Sequence, residues 1–242
     1  MRAILIRVAI DQTADSGNWN APCNPQTGDF VYVPIKQTKT ANLPGMEKRY
    51  ADLIVPVLDG FSKRNNCDIF LPECLTDQRM HLDPDFENLT YGDTARRGKN
   101  LLTFREDDLV VFFASLRPVT KNELVYALIG LLTVEDISPV KDISASKRDE
   151  NAHTRNSPSE PTDIVVRGKK GKSGRFARYI RIGEYREGAY RVTKPLLEQW
   201  GGLSVKNGYL QRSATPPLFL NAERFYNWLQ NENPRLLHSN NP

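Results

Sequence analysis

The chain has 242 residues, 26% of them charged and 39% hydrophobic, with 33 Lys and Arg against 29 Asp and Glu and a formal net charge of +4. That length supports one large domain with a buried core and needs no disulfide staples. Cys23, Cys67 and Cys74 follow no Cys-x-x-Cys spacing and have no histidine pair nearby, which argues against a disulfide framework or a structural zinc site and for reduced thiols in a cytoplasmic protein.

In chain order, Arg2 to Ala9 is rich in aliphatic and β-branched residues and predicts a first strand. Arg7 interrupts its apolar run and no small-residue cleavage site follows, so it reads as a strand rather than a signal peptide. Asp11 to Gly28 supplies Gly, Asn, Pro and Ser and predicts a loop. Asp29 to Ile35 alternates aromatic and β-branched residues and predicts a second strand, with Pro34 placing that end at a sheet edge. Glu47 to Asn65 carries Tyr50, Leu53, Ile54, Val57, Leu58 and Phe61 at helical spacing, which predicts an amphipathic helix bent near Pro56. Phe70 to Leu101 has little period and many turn residues and predicts a long loop, a feature that in compact domains is usually either functional or misassigned.

Asp108 to Ser115 and Leu124 to Val134 are near-continuous apolar runs and predict central strands covered on both faces. The second is the longest apolar stretch, and it falls short of the roughly 20 residues that a membrane-spanning helix requires. Lys141 to Pro161 is polar and predicts a short surface helix or a mobile loop, after which Thr162 to Arg167 and Phe176 to Ile182 return to strand character. Thr193 to Trp200 opens on a capping threonine and stops at Gly201-Gly202, and Asn221 to Gln230 gathers Phe225, Trp228 and Leu229 on one face; both predict helices. The expected architecture is a mixed α+β fold. A largely buried β-sheet with flanking helices forms a single domain over 1–242, with a sub-boundary near 141–161 and 162–242 as a basic C-terminal part.

The predicted loop contains the densest chemistry. His81-Leu-Asp83-Pro-Asp85, followed by Tyr91-Gly-Asp93, places one imidazole and three carboxylates in a Pro-stiffened segment. Such a set can bind a divalent metal through His81, Asp83 and Asp85, or shift its own pKa values for proton transfer; a solvated Asp-Pro-Asp turn accounts for the same pattern. Arg7 and Asp11 bracket the end of the first strand, where a fold of this class presents polar groups to a crevice, and Arg117 is a second strand-end cation suited to phosphate or carboxylate. His153 sits in a polar segment where an ordinary surface role is the more natural reading than a functional one, and His238 lies near the end of the chain.

Charge is uneven. Residues 1–164 carry 19 Lys and Arg against 24 Asp and Glu, a balance of −5, whereas 165–242 carry 14 against 5, a balance of +9. Arg167, Lys169, Lys170, Lys172, Arg175, Arg178 and Arg181 are interleaved with Phe176 and Tyr179, an electrostatic footprint suited to phosphate and equally a solvated basic hairpin. Gly168-Lys-Lys-Gly-Lys-Ser is not a Walker loop, because only two residues separate its first glycine from Gly-Lys-Ser and strand character follows. There is no Gly-x-Ser-x-Gly and no His-x-Glu with Pro-Cys-x-x-Cys, so neither covalent catalysis nor zinc deamination is supported.

Ile4-Leu-Ile-Arg7-Val-Ala-Ile-Asp11, Asp29-Phe-Val-Tyr-Val-Pro34-Ile, Arg79-Met-His81-Leu-Asp83-Pro-Asp85, Asp108-Leu-Val-Val-Phe-Phe and Leu128-Ile-Gly130-Leu-Leu occur in one order. Together they resemble the third family of nucleotide modification associated domains, a likeness spanning about residues 1 to 230. The resemblance implies an α+β domain with an active site of charged residues, acting in the making or handling of hypermodified nucleic-acid bases. The positions that match its charged pattern are Arg7, Asp11, His81, Asp83 and Asp85, with His153 a looser match. The chain departs from the family around Asp11, where an insert from Gln12 to Asn20 replaces a short Gly/Ser-rich turn.

The expected function is therefore an enzyme acting on nucleotides or DNA bases. His81, Asp83, Asp85 and Asp11 would supply acid/base or metal-binding groups. Arg7, Arg117, Lys169, Lys170, Lys172 and Arg175 would bind substrate phosphate, and a nucleic acid or nucleotide is the partner, with no membrane. The rival is a non-catalytic module that recognises modified bases within a restriction or defence system.

Overall fold

A computed structural model describes residues 1–11, 17–41, 45–120, 123–157, 159–211 and 215–242; part of the insert after Asp11 lies outside these. The main strands are β1 (Ala3–Arg7), β2 (Thr90–Asp93), β3 (Leu109–Pro118), β4 (Val125–Pro139), β5 (Ile164–Gly168) and β6 (Gly174–Arg181). Among the described residues they form one mixed sheet of order β1-β3-β4-β5-β2, with β6 pairing β4 and the short strands Pro22–Cys23 and Leu236–Leu237 adding to β3 and β6. Only β1 and Pro22–Cys23 run parallel to β3; the other pairings are antiparallel.

The two apolar runs of the sequence form the centre of this sheet. On β3, Val110, Phe112 and Ala114 enter one hydrophobic cluster, while Leu109, Val111 and Phe113 enter the other. Alternate residues of a strand point to opposite faces, so a strand apolar at every position must be covered on both. The C-terminal half of β4 pairs with β5 and its N-terminal half with β6. Although β1 and β2 end the strand path, both line one cavity, so the sheet is strongly coiled.

The helices are α1 (Val55–Asn65), α2 (Ala95–Leu101), α3 (Ala152–Arg155), α4 (Lys194–Trp200) and α5 (Ala222–Glu232). The helix expected over Glu47 to Asn65 divides, with one turn at Tyr50–Leu53 and α1 restarting with Pro56 in its first turn, where a missing N–H costs nothing. α4 ends on Gly201 in the left-handed region (φ 76°), as the Gly-Gly stop predicts, but Thr193 makes no side-chain cap. Asn221 caps α5 by accepting the Arg224 N–H, and Phe225 and Leu229 bury against Trp200 of α4 in the second cluster. No helix among the described residues is long and apolar enough to cross a membrane.

Three expectations need correction. Asp29 to Ile35 is not a continuous ladder strand: Val31, Tyr32 and Val33 are buried, but their backbone bonds go to Pro22, the Asn241 side chain and Ile10, and only Ile35 at its end enters a two-residue ladder, opposite His81. The long loop over Phe70 to Leu101 resolves into the turn Glu73–Thr76, the strand Met80–His81, β2 and α2, pieces too short to show a period. The Lys141 to Pro161 segment is not a mobile loop in its described part. Asn151, His153, Thr154 and Arg155 are buried, held by hydrogen bonds within the fold and, for Arg155, by the Asp85 carboxylate 3.8 Å away.

The chain's last residues act as a strap. The Asn240 amide accepts the Phe86 N–H (2.8 Å) and donates to Asp85 (3.2 Å), while Asn241 brackets Tyr32. Replacing Asn240 with Ala leaves a buried N–H unpaired, so urea unfolding should show a loss of about 1–3 kcal/mol.

Candidate active site

Asp85 builds the frame of the site. Its carboxylate accepts the backbone N–H groups of Glu87 and Asn88, the Asn88 and Asn240 amides, and lies 3.8 Å from Arg155. This closes the Asp85–Thr90 turn, whose ends exchange two 2.9 Å backbone bonds, and delivers the chain into β2. Gly92 of β2 then returns to Asp83: its N–H donates to Asp83 Oδ1 at 2.8 Å, and the Asn151 amide donates to the same oxygen at 2.8 Å. Asn151 also accepts the His153 N–H, starting α3.

His81, Asp83 and His153 come together here, with one possible ligand atom from each lying within 4.8 Å of the others. The His81 and His153 Nε2 atoms lie 4.0 and 3.9 Å from Asp83 Oδ2, and their rings meet edge to face at 5.0 Å. Behind each ring the Nδ1 atom is engaged, His81 with Gln37 Oε1 at 2.6 Å and His153 with Asp163 Oδ1 at 3.3 Å. Both Nδ1 atoms therefore act as N–H donors, so that in the neutral form of each ring the Nε2 lone pair lies on the cavity side.

Burial, with the His153 and Arg155 charges adding to it, drives His81 down to about 3, so its imidazole is neutral at physiological pH. Burial raises the Asp83 carboxyl to about 6 against the opposing pull of His153, Asn151 and the Gly92 N–H. For His153, burial acts downward, but the Asp163 hydrogen bond and the Asp83 and Asp163 charges outweigh it and raise its pKa. Asp163 is lowered despite burial by hydrogen bonds from His153, the Glu160 N–H and Thr94. Titratable groups pushed apart in this way are common at reaction centres.

The cluster lies on the wall of a cavity of about 360 Å³. Arg7, Asp11, Asp93 and Arg97 add charge to the lining, while Leu5, Phe113, Leu210 and Ile35 add apolar surface. Arg7 donates to Ser115 Oγ (3.0 Å) and lies 3.5 Å from Asp11, and Asp93 is held by Tyr91 (2.7 Å) and Arg97 (3.2 Å). That volume is of the order that a nucleotide-sized molecule occupies.

Of the residues singled out from sequence, Arg7, Asp11, His81 and Asp83 share this cavity. Asp85 does not: it faces away, committed to the turn and to Asn240, so the third member of the cluster is His153. Arg117 lines a different depression, with Trp19 and Phe70. Arg175 cannot meet substrate phosphate, being 1% exposed, stacked 3.7 Å over Phe30 and bonded to the Phe30 carbonyl; burial lowers its pKa to about 9. Lys169 pairs with Glu106 (2.7 Å) and Asp107 (2.9 Å), Lys172 reaches Asp107 at 4.0 Å, and Lys170 is exposed in the same turn. Alanine at Lys169, Lys170 and Lys172 together should leave the urea-unfolding midpoint nearly unchanged, since exposed ion pairs contribute little.

Sequence reasoning passed over Gln37, Asn151 and Asp163, which hold the cluster from behind, and Gly92, which makes room for it. The available signal was Asn151-Ala-His153-Thr154, a capping box that marks an ordered helix start within a segment read as surface.

Fold and cavity define an α+β domain that carries a half-buried His-Asp-His cluster on a solvent-reached cavity. A family model described as nucleotide modification associated domain 3 matches residues 2–212, and the chain belongs to that family. No curated protein and no solved structure matches it significantly. Family membership ties the protein to nucleotide modification; the His81, Asp83 and His153 cluster lies within the matched span, whereas Pro216 and Pro217 of the cavity wall and the Asn240 strap lie beyond it.

Proposed function

We propose that the protein is an enzyme that modifies a nucleotide or a nucleic-acid base, with His81, Asp83 and His153 as its reaction centre. The observation that carries this reading is the convergence of His153 with His81 and Asp83 from a segment 70 residues away, each side chain held from behind by a polar partner and each presenting an unengaged atom to one cavity. Three polar groups are costly to bury, and such an arrangement reads as preorganised chemistry rather than as packing. Arg7, steadied by Ser115 and Asp11, supplies a cation for substrate phosphate, and the Leu5, Phe113 and Leu210 side chains give a base apolar surface to lie against.

The cavity admits one nucleotide-sized unit and not a duplex, so a polynucleotide substrate would have to present its base out of the stack. The rival reading as a reader module draws on the basic stretch for affinity. Arg167 is committed to Glu150 and Asp136, Lys169 to Glu106 and Asp107, and Arg175 to the core, which favours the enzyme.

The test is to alter His81 to Ala and Asp83 to Asn separately in cells carrying the neighbouring genes and measure modified nucleosides by mass spectrometry. Each variant should lose on the order of 10²-fold or more of the modification. Unchanged modification in both variants at normal protein levels would sink the catalytic role.

A further inference from the structure

We infer that His81 Nε2, His153 Nε2 and Asp83 Oδ2 together bind one divalent first-row transition-metal ion, leaving its remaining coordination positions open to the cavity. The inference deepens the reading above and rests on it for the ion's role, because the ion would sit where that reading places the reaction.

The geometry argues for it in three ways. The two Nε2 atoms stand 4.0 and 3.9 Å from the same carboxylate oxygen, too far to be hydrogen-bonded to it. Atoms that share a metal at about 2.1 Å each are separated by roughly 3.0 to 4.2 Å, depending on the angle between them. The observed spacing therefore suits a third body between them better than it suits direct contact.

The polar groups behind the cluster are arranged as metal ligands usually are. Gln37 and Asp163 accept the Nδ1–H hydrogen bonds, which fixes the neutral tautomer with its Nε2 lone pair toward the ion, a proton on His153 Nε2 being displaced when the ion binds. Gly92 and Asn151 occupy Asp83 Oδ1 and leave Oδ2 with no hydrogen-bond partner among the described residues. A cluster built for hydrogen bonding alone would have left no such atoms facing one another.

The donor set selects the ion. Two imidazole nitrogens with one carboxylate suit zinc, iron(II) or cobalt(II), whereas calcium and magnesium prefer oxygen ligands throughout. All three ligand residues line the cavity, so water or a substrate atom within it can complete the sphere. Buried Asp93 and Asp163 add negative charge nearby, which favours a cation there.

The experiment uses the full chain, dialysed against chelator and titrated with cobalt(II) by calorimetry and by visible absorption. Wild type should bind one equivalent. His81→Ala and His153→Ala should each weaken binding by at least about 100-fold, and Asp163→Asn, which removes no ligand, by about 10- to 100-fold. Circular dichroism establishes that each variant is folded. Absence of cobalt binding by folded wild type, or unchanged affinity in both histidine variants, overturns the inference. If wild type binds no ion but the substitutions still abolish base modification, the reaction-centre reading survives without the metal. If the ion binds through these residues while modification is unaffected, the metal site stands and that reading fails.

Discussion

Asp83→Asn should abolish base modification and at the same time make the chelator-treated protein more stable above pH 6. Asn retains an oxygen that accepts the Gly92 and Asn151 hydrogen bonds, so the frame is kept while the charge is removed. Burial lifts the Asp83 carboxyl from 3.8 to about 6 in the folded chain. A group whose pKa is raised on folding supports the fold most where it is protonated in both states, below about pH 4, and that support is lost as pH rises through 6. Above pH 6 the folded protein carries a carboxylate it disfavours by up to about 3 kcal/mol, so the variant should gain about 1–3 kcal/mol at pH 8 and less at pH 5. Urea unfolding at the two pH values in chelator measures this. A variant less stable than wild type at both would mean that the carboxylate serves the fold.

Gly92→Ala is the second large effect. A Cβ built there would lie 2.3 Å from His153 Cδ2 and 2.6 Å from Asn151 Oδ1, closer than real contacts allow. The histidine and its cap must move, which takes Nε2 off the cluster and loosens the start of α3. The expected result is a loss of roughly 1–3 kcal/mol or more from overpacking, together with loss of modification. Combining Gly92→Ala with His153→Ala should recover part of the stability without recovering modification, because the imidazole that clashes most closely is gone and the functional group with it, while Asn151 Oδ1 still crowds the new Cβ. If the double variant is no more stable than Gly92→Ala alone, the clash is not what Gly92 avoids.

The sheet's centre was legible because β3 and β4 are apolar at nearly every position, a pattern only two-sided burial explains. The Asp29 to Ile35 segment misled for the opposite reason: its alternation is real, but the strap residue Asn241 takes the backbone groups of Tyr32 that a neighbouring strand would have used. On the site, local sequence grouped Asp83 with Asp85 because they are two residues apart, whereas the fold turns one to the cavity and the other to the Asp85–Thr90 turn. His153 belongs to the same cluster across a separation of 70 residues, and no period or spacing carries such a pairing. The basic stretch was legible as charge but not as surface, since the partners that occupy Arg167, Lys169 and Arg175 lie far off in sequence or on the backbone.

His153 therefore offers the most direct test of the central claim, because sequence gave it only a loose role and the fold places it beside Asp83. The measurement is the ratio of modified to parent nucleoside in cells expressing His153→Ala, set beside Arg117→Ala at matched protein levels. The account predicts a fall on the order of 10²-fold or more for His153→Ala and a ratio near wild type for Arg117→Ala, which lines a separate depression. An unchanged ratio in a folded His153→Ala protein would contradict it.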